Sequence, residues 1–372
     1  MTPTVGVIGG GQLARMMIPP AVALGIELRV LAESGGESAD LAVTVVGDFR
    51  NIDTVVEFAR GVDVLTFDHE HVPQDVIAAV VAAGIPVRPK PAALIHAQDK
   101  LRMRERLGEL GLPMPDWSPI HTPADLDQFL AAHRGRGIVK TPRGGYDGKG
   151  VRIVHSADEV EDWLRDGEVL LVEELVEFRR ELAQLVARRP SGELALWPIV
   201  ESIQRDGVCA EVIAPAPRTA GKLADLAADI AVTIAEQLDV VGVLAVELFE
   251  TTDDRLVINE LAMRPHNTGH WSIDGSTTSQ FEQHLRAVLD LPLGATGCRD
   301  PWSVMVNVLG GPDSGSLADR YPLALNDQPT VKFHSYGKQS RPGRKVGHVT
   351  AGGDDLDEVV YRARAAAEFF HS

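Results

Sequence analysis

The sequence predicts an α/β amino-terminal unit built on a parallel, doubly wound sheet, followed by two α+β units. Three observations predict this. From Val5 to Val87 apolar, strand-like runs alternate with helical segments, which requires crossover connections and therefore parallel strands. A helix that closes on Gly111 is followed by the proline-bearing linker "LPMPDW". Beyond that linker the regular alternation stops, and 372 residues exceed one domain of roughly 100 to 200 residues.

In the first unit "TVGVIGG", "ELRVLAE", "DVLTF" and "GIPVRP" read as strands. The helix after the first strand carries Pro19 and Pro20 where its third turn falls, so a kink or an early end is expected. The turn between them places Gly9, Gly11 and Ala14 in a G-x-G-x-x-A pattern, and Glu33 lies near the end of the second strand, where a ribose-binding acid would sit. Glycines admit any phosphate, and a helix N-terminus attracts any anion. On this loop alone a dinucleotide, another phosphorylated ligand and a tight structural turn all remain open.

The second unit carries "IVKTPRGGYDGKGV". A strand ends on Lys140, and four of the seven residues from Gly144 to Gly150 are glycine. A two-residue hairpin at Asp147-Gly148 accounts for part of this. It leaves Gly144, Gly145, Gly150, Arg143 and Lys149 unexplained. The favoured reading is a flap folding its N–H groups over a phosphate tail, with Lys140 as a fixed charge. In "LLVEELVEFRRELA" a buried strand turns polar at Glu173 and Glu174. It reads either as a solvated strand end or as an adenine hinge, with backbone from Glu174 to Val176 meeting the base and Glu181 accepting from ribose hydroxyls.

In the third unit two apolar strands flank "TTDDR", and a two-residue turn at Asp253-Asp254 places Glu247 opposite Glu260. Like charges across a sheet repel, so a cation belongs between them. Oxygen ligands on strands suit Mg²⁺, which takes one or two carboxylates plus substrate phosphates. A register slip of one would send the carboxylates to opposite faces. "AMRPHNTGHW" then gathers Arg264, His266, Asn267 and His270, a set suited to a small planar anion. The helix "TSQFEQHLRAVL" has Phe281, Leu285 and Val288 at core spacing, which leaves its polar residues for a wet face. "YGKQSRPGRKVGH" concentrates Lys338, Arg341, Arg344, Lys345 and His348, read as a phosphate grip.

Composition narrows the classes. Acidic residues outnumber basic ones 53 to 36, giving a formal charge of −17 that repels nucleic acid. Only eight of the basic residues are lysines, and five of them (Lys100, Lys140, Lys149, Lys338, Lys345) stand beside glycine-rich or basic loops. Cys209 and Cys298 lack metal-ligand spacing, which suggests a reduced, intracellular protein. No leader is visible and no apolar run reaches about 18 residues, so a cytoplasmic protein without membrane contact is expected.

Together, "GGGQLARM", "GGYDGKG", "INELAMRPHNTGHW", "TSQFEQHLRAV" and "RPGRKVGH" resemble the ATP-grasp superfamily, and within it the 5-(carboxyamino)imidazole ribonucleotide synthase family. The resemblance implies three domains: residues 1–95 as a Rossmann-like parallel sheet, 96–178 as a small lid, and 179–372 as a catalytic domain with a mixed sheet. It also implies that the first loop does not hold NAD; Gly11, Gln12 and Leu13 would contact aminoimidazole ribonucleotide, together with Glu70, Tyr146, Arg344 and Lys345. Lys100, Lys140, Gly145, Tyr146, Asp147, Gly148, Lys149, Gly150, Glu173, Glu174, Leu175, Val176, Glu181, Gln204, Asn259 and Glu260 would bind ATP. Glu247 and Glu260 would hold magnesium, two ions, with manganese as the alternative. Arg264, His266 and Asn267 would hold bicarbonate and its carboxyphosphate, with Lys345 also catalytic, and Asp147 would position the amine or accept its proton. A homodimer is the family's usual state. The chain ends at Ser372, leaving no room for a fused mutase domain, so the product would pass to a separate mutase. His71, Met263 and Pro19-Pro20 depart from the family pattern, which commonly has "YEFENV" where this chain has "FDHEHV". The rivals are a relative that activates formate for glycinamide ribonucleotide, a nicotinamide-dependent dehydrogenase, and a non-enzymatic ATP-binding protein.

Overall fold

The computed structural model describes residues 2–145, 150–165, 167–219, 221–312 and 315–370. The first sheet is made of β1 (Thr4–Ile8), β2 (Glu27–Ala32), β3 (Val43–Val46) and β4 (Val64–Phe67), parallel throughout in the order β3-β2-β1-β4. Every residue of β1 and β4 is buried, as expected for a parallel sheet covered on both faces. Helices α1 (Gln12–Leu24), α2 (Ile52–Ala59) and α3 (Gln74–Ala82) make or follow the crossovers. The expected strand "GIPVRP" supplies one bridge only, Val87 to Leu65. Pro86 and Pro89 have no N–H to donate to a ladder. The fourth strand is instead β3, which lies at the opposite edge beside β2 and whose half-exposed residues hid it from a hydrophobicity reading.

Helix α1 neither ends at Pro19 nor stops before Pro20; both lie inside it. A proline inside a helix costs ~3 kcal/mol, and here packing offsets that. Leu13, Ala14, Met16, Met17 and Ala21 bury one face, and Gly25 closes the helix in the left-handed region at φ 66°.

After α4 (Pro91–Gln98) and α5 (Lys100–Glu109) comes a small antiparallel sheet, β5-β8-β6-β7, of β5 (Trp117–Ile120), β6 (Gly137–Lys140), β7 (Val151–Val154) and β8 (Leu170–Glu173). Helices α6 (Pro123–Ala132) and α7 (Glu161–Arg165) cover it. The Asp99 carboxylate caps α5 by accepting from Leu101 N and Arg102 N.

The large sheet runs β14-β13-β9-β11-β12-β15-β17-β16, with β10 paired to β9. Its strands are β9 (Phe178–Arg188), β10 (Leu194–Leu196), β11 (Val200–Arg205), β12 (Val208–Ala214), β13 (Gly242–Thr251), β14 (Leu256–Ala262), β15 (Trp302–Leu309), β16 (Lys332–Ser335) and β17 (Lys345–Gly353). Every described pairing is antiparallel, where the resemblance implied a mixed sheet. Tight turns join β11 to β12 and β13 to β14, and such turns can only pair antiparallel neighbours. Four helices accompany this sheet: α8 (Lys222–Gln237), α9 (Ser272–Gly275), α10 (Gln280–Val288) and α11 (Tyr321–Asp327). The last helix, α12 (Leu356–Glu368), packs on β15 and β17. No described helix is long and apolar enough to cross a membrane.

Helix α10 has no broad wet face. Gln280, Gln283 and His284 are fully buried, because α10 is wedged between α1 and strands β9 and β13. Each polar side chain has partners there. Gln280 exchanges hydrogen bonds with both backbone groups of His266, and Gln283 does the same with Gly294. His284 Nδ1 accepts from Val243 N at 3.1 Å, so Nε2 carries the proton and donates to Thr66 Oγ1 at 2.9 Å. One ring thus links the first sheet to the large one.

Burial pushes the His284 imidazole down to about 3, from an ordinary 6.5. Between those values the unfolded chain binds a proton that the folded chain does not, so this contribution to stability is complete above about 6.5 and is lost as pH falls. Replacing His284 by Gln should flatten the acid loss by about 2 kcal/mol between pH 7 and pH 5. Urea midpoints of both proteins at the two pH values check this; parallel declines would refute it.

Candidate active site

Two cavities adjoin where the three sheets meet, one of about 410 Å³ and one of about 810 Å³. Lys100, Gly145, Glu247, Glu260, His266, Asn267 and Lys345 line both.

The β13–β14 hairpin sets the shared wall. Glu247 faces Glu260, but not through the expected two-residue turn. Thr251 N bonds Arg255 O at 2.9 Å, and Asp254 sits at φ 62°, so the turn is one residue longer. Register shifts back between Glu247 and Leu248, where Leu248 pairs with Ile258 and Asn259 is the extra residue of a bulge. Neighbours on a regular strand face opposite sides. The bulge lets Asn259 and Glu260 line the same cavity.

Each of the facing carboxylates has a cationic or protonatable partner. Lys100 Nζ lies 2.8 Å from Glu260 Oε1, and His266 Nε2 lies 3.1 Å from Glu247 Oε1. Burial pushes the Glu247 carboxyl up, but His266, Lys345 and Arg264 together hold it below the ordinary range. Beside them both amide atoms of Asn267 are buried without a conventional hydrogen bond among the described residues, close to the Cys209 thiol. Two carboxylates and an unsatisfied amide oxygen are hard donors that fit a Mg²⁺-type ion completed by substrate phosphates. No cluster of three or more His, Cys, Asp or Glu with metal-holding geometry occurs among the described residues.

The first cavity is also lined by Lys140, Glu173, Glu174, Leu175, Val176, Glu181 and Gln204. Lys140 Nζ lies 2.7 Å from Glu173 Oε2 and 3.4 Å from Asn259 Oδ1. The other Glu173 oxygen meets Arg104 Nε at 2.6 Å, so both oxygens of this carboxylate are engaged by protein cations. Burial raises the Glu173 carboxyl, and Arg104 and Lys140 pull it below its ordinary value. Glu181 goes the other way, up to about 7, through burial and then repulsion from Glu247. Phe178 and Phe249, stacked with centroids 4.6 Å apart, give the cavity an apolar end. Gly150 does not line it; its carbonyl accepts from Thr141 N at 2.9 Å. Tyr146, Asp147, Gly148 and Lys149 lie outside the described residues.

The second cavity brings Gly11, Gln12, Leu13, Glu70, Arg264 and Arg344 together with Lys338 and Arg341. Arg264 Nε donates to Glu70 at 2.6 Å, and Lys338 Nζ donates to Gln12 Oε1 at 2.6 Å. The glycine loop closes on a carboxylate: Ala14 N donates to Asp68 Oδ1 at 2.7 Å, and a Cβ on Gly11 would collide with Asp68. A helix N-terminus that could receive pyrophosphate is therefore filled by protein. Glu33, the candidate ribose acid, is exposed and paired with Arg50 at 2.9 Å. Burial pushes Asp68 up to about 6 against the pull of the Ala14 N–H, Arg264 and Lys338. His69 is pushed down to about 4 by burial. His270 and His348 do not join the cavities; both are fully buried and kept neutral by that burial, their rings 5.3 Å apart.

Sequence reasoning missed Asp68, Arg104, Phe178 and Phe249. Asp68 had a signal, since it follows β4 at the carboxyl edge of a parallel sheet, where ligands gather. The two phenylalanines meet only once β9 and β13 are in register.

Three family models match the chain: a ribonucleotide synthetase preATP-grasp domain over residues 1–98, an ATP-grasp domain over 105–281, and a phosphoribosylaminoimidazole carboxylase C-terminal domain over 303–362. The N5-carboxyaminoimidazole ribonucleotide synthase of Mycobacterium tuberculosis is 49% identical, over 99% of this chain and 88% of its own. The crystal structure of N5-carboxyaminoimidazole ribonucleotide synthetase from Thermus thermophilus superposes with a TM-score of 0.88 at 36% identity, covering 99% of this chain and 98% of that one. The Aspergillus clavatus enzyme, solved with ADP and 5-aminoimidazole ribonucleotide, gives 0.87 at 31% identity, with 99% and 98% covered. On this evidence the chain belongs to the N5-carboxyaminoimidazole ribonucleotide synthases, a family of ATP-grasp ligases.

Proposed function

We propose that this enzyme carboxylates the exocyclic amine of 5-aminoimidazole ribonucleotide with bicarbonate, consuming ATP and releasing ADP and phosphate. The carrying observation is that the two cavities share one wall, built from Glu247, Glu260, His266, Asn267 and Lys345. A nucleoside triphosphate in the first cavity and a ribonucleotide in the second would point their reacting ends at that wall.

In this reading adenine lies at the Phe178–Phe249 end, against the backbone from Glu174 to Val176, and Glu181 accepts from ribose hydroxyls. The triphosphate reaches Lys140 and Lys100. Mg²⁺, or Mn²⁺ in its place, would be held as two ions by Glu247 and Glu260 and would supply charge neutralisation for phosphoryl transfer. A bicarbonate oxygen attacks the γ-phosphorus, the bond to ADP breaks, and carboxyphosphate forms beside His266, Asn267 and Arg264. The amine nitrogen then bonds the carboxyl carbon, phosphate departs, and the amine loses a proton. Asp147 is the proposed acceptor. Arg344, Lys345 and Lys338 would hold the ribonucleotide phosphate. A homodimer and a cytoplasmic setting complete the reading, supported by the family resemblance and by two free cysteines.

ADP release measured with each of ATP, bicarbonate and the ribonucleotide omitted in turn should require all three. Turnover with glycinamide ribonucleotide and formate instead would replace this function with its nearest rival. Substituting Glu260 by Gln should lower kcat on the order of 100-fold, read by the same assay; a rate within twofold of wild type would remove Glu260 from the chemistry. Replacing Arg344 by Met should raise KM for the ribonucleotide about tenfold and leave KM for ATP unchanged.

A further inference from the structure

Arg104 is not among the residues lining either cavity, yet its guanidinium joins Glu173 to the strand that carries Asn259 and Glu260. It lies on α5 and is completely buried. All three of its nitrogens donate: Nε to Glu173 Oε1 at 2.6 Å, one terminal nitrogen to Ile258 O at 3.0 Å, and the other to Asn259 O at 2.7 Å.

The two carbonyls are the informative partners. Strand β14 is the last in its sheet, so one of its edges has no strand to pair with. In a regular strand the carbonyls of consecutive residues point to opposite edges, and one side chain cannot reach both. Here the bulge at Asn259 turns the Ile258 and Asn259 carbonyls toward the same side, and one planar fork takes both. The same edge is closed at Ile258 N, which donates to Pro113 O at 2.9 Å. The bulge aims Asn259 and Glu260 together into the first cavity. The third arm of the fork fixes Glu173, whose other oxygen holds Lys140.

We infer that Arg104 is a positioning residue for phosphoryl transfer: it clamps the β14 bulge so that Glu260 and Asn259 face the nucleotide, and through Glu173 it sets the reach of Lys140. This rests on the proposed reading of Glu260 as a metal ligand. A lysine in its place would keep a positive charge for Glu173 but offers a single point of donation, and cannot serve two carbonyls as well. A residue that only stabilised the fold would change melting temperature and leave metal affinity alone.

Arg104→Lys and Arg104→Gln are the variants to compare with wild type. Two readouts apply: Mn²⁺ binding to the ADP-loaded protein, followed by electron paramagnetic resonance, and the Mg²⁺ concentration giving half-maximal ADP release. For Arg104→Lys, with melting temperature within a few degrees of wild type, both constants should weaken about tenfold or more. KM for the ribonucleotide should change less than twofold. Either variant folding normally with wild-type Mn²⁺ affinity would overturn the inference. Failure of both to fold would overturn it equally, by assigning Arg104 to the fold and not to the site. The resonance measurement needs no turnover, so an inactive wild type would defeat the proposed reaction while leaving Arg104 open to judgement.

Discussion

The facing of Glu247 and Glu260 across adjacent strands is the constraint around which the rest of the site is arranged. Two carboxylates facing each other across a hairpin repel, and the chain answers with cationic or protonatable groups from different elements. Lys100 comes from the start of α5, and His266 from the loop after β14. Lys345 begins β17. In a protein of formal charge −17 the lysines at this wall reverse the overall sign locally. Each carboxylate of the facing pair is thus matched by a cationic or protonatable group from outside the hairpin.

Much of this was legible because the chemistry is carried by short segments whose residue types are hard to explain otherwise. Glu247 and Glu260 were found opposite each other from turn arithmetic, and they are opposite. The route was less secure than the result. The turn is one residue longer than expected, and a bulge at Asn259 cancels the error before the register reaches Glu247. Neither irregularity leaves a clear mark in "FETTDDRLVINE"; the bulge is held from outside the strand by Arg104 and Pro113, which no local pattern reports.

The illegible parts share a cause: local pattern was overruled by what packs against it. The α1 prolines should end a helix, but five buried side chains keep it going. The α10 glutamines and His284 read as a wet face because periodicity reports polarity, not whether a polar group will find partners in the interior. Asp68 closing the glycine loop belongs to the same class. The loop matched a phosphate-binding pattern, and the anion that fills it comes from β4's end, more than fifty residues away.

The Arg104–Glu173 pair has a mechanical meaning as well. Through His284, α10 fastens the first sheet to the large one. The small sheet is joined to them near one end of β8, where Glu173 meets a guanidinium anchored on β14. Further links lie close by: Lys140 on β6 reaches Asn259 Oδ1 at 3.4 Å, Lys100 N donates to Pro142 O at 2.9 Å, and Arg143 pairs with Asp99 at 2.8 Å. The β5–β8 sheet is thus tied to the large one through Glu173, Lys140 and Asn259, side chains that also line the first cavity, so the joint between the two sheets and the wall of the site are one structure.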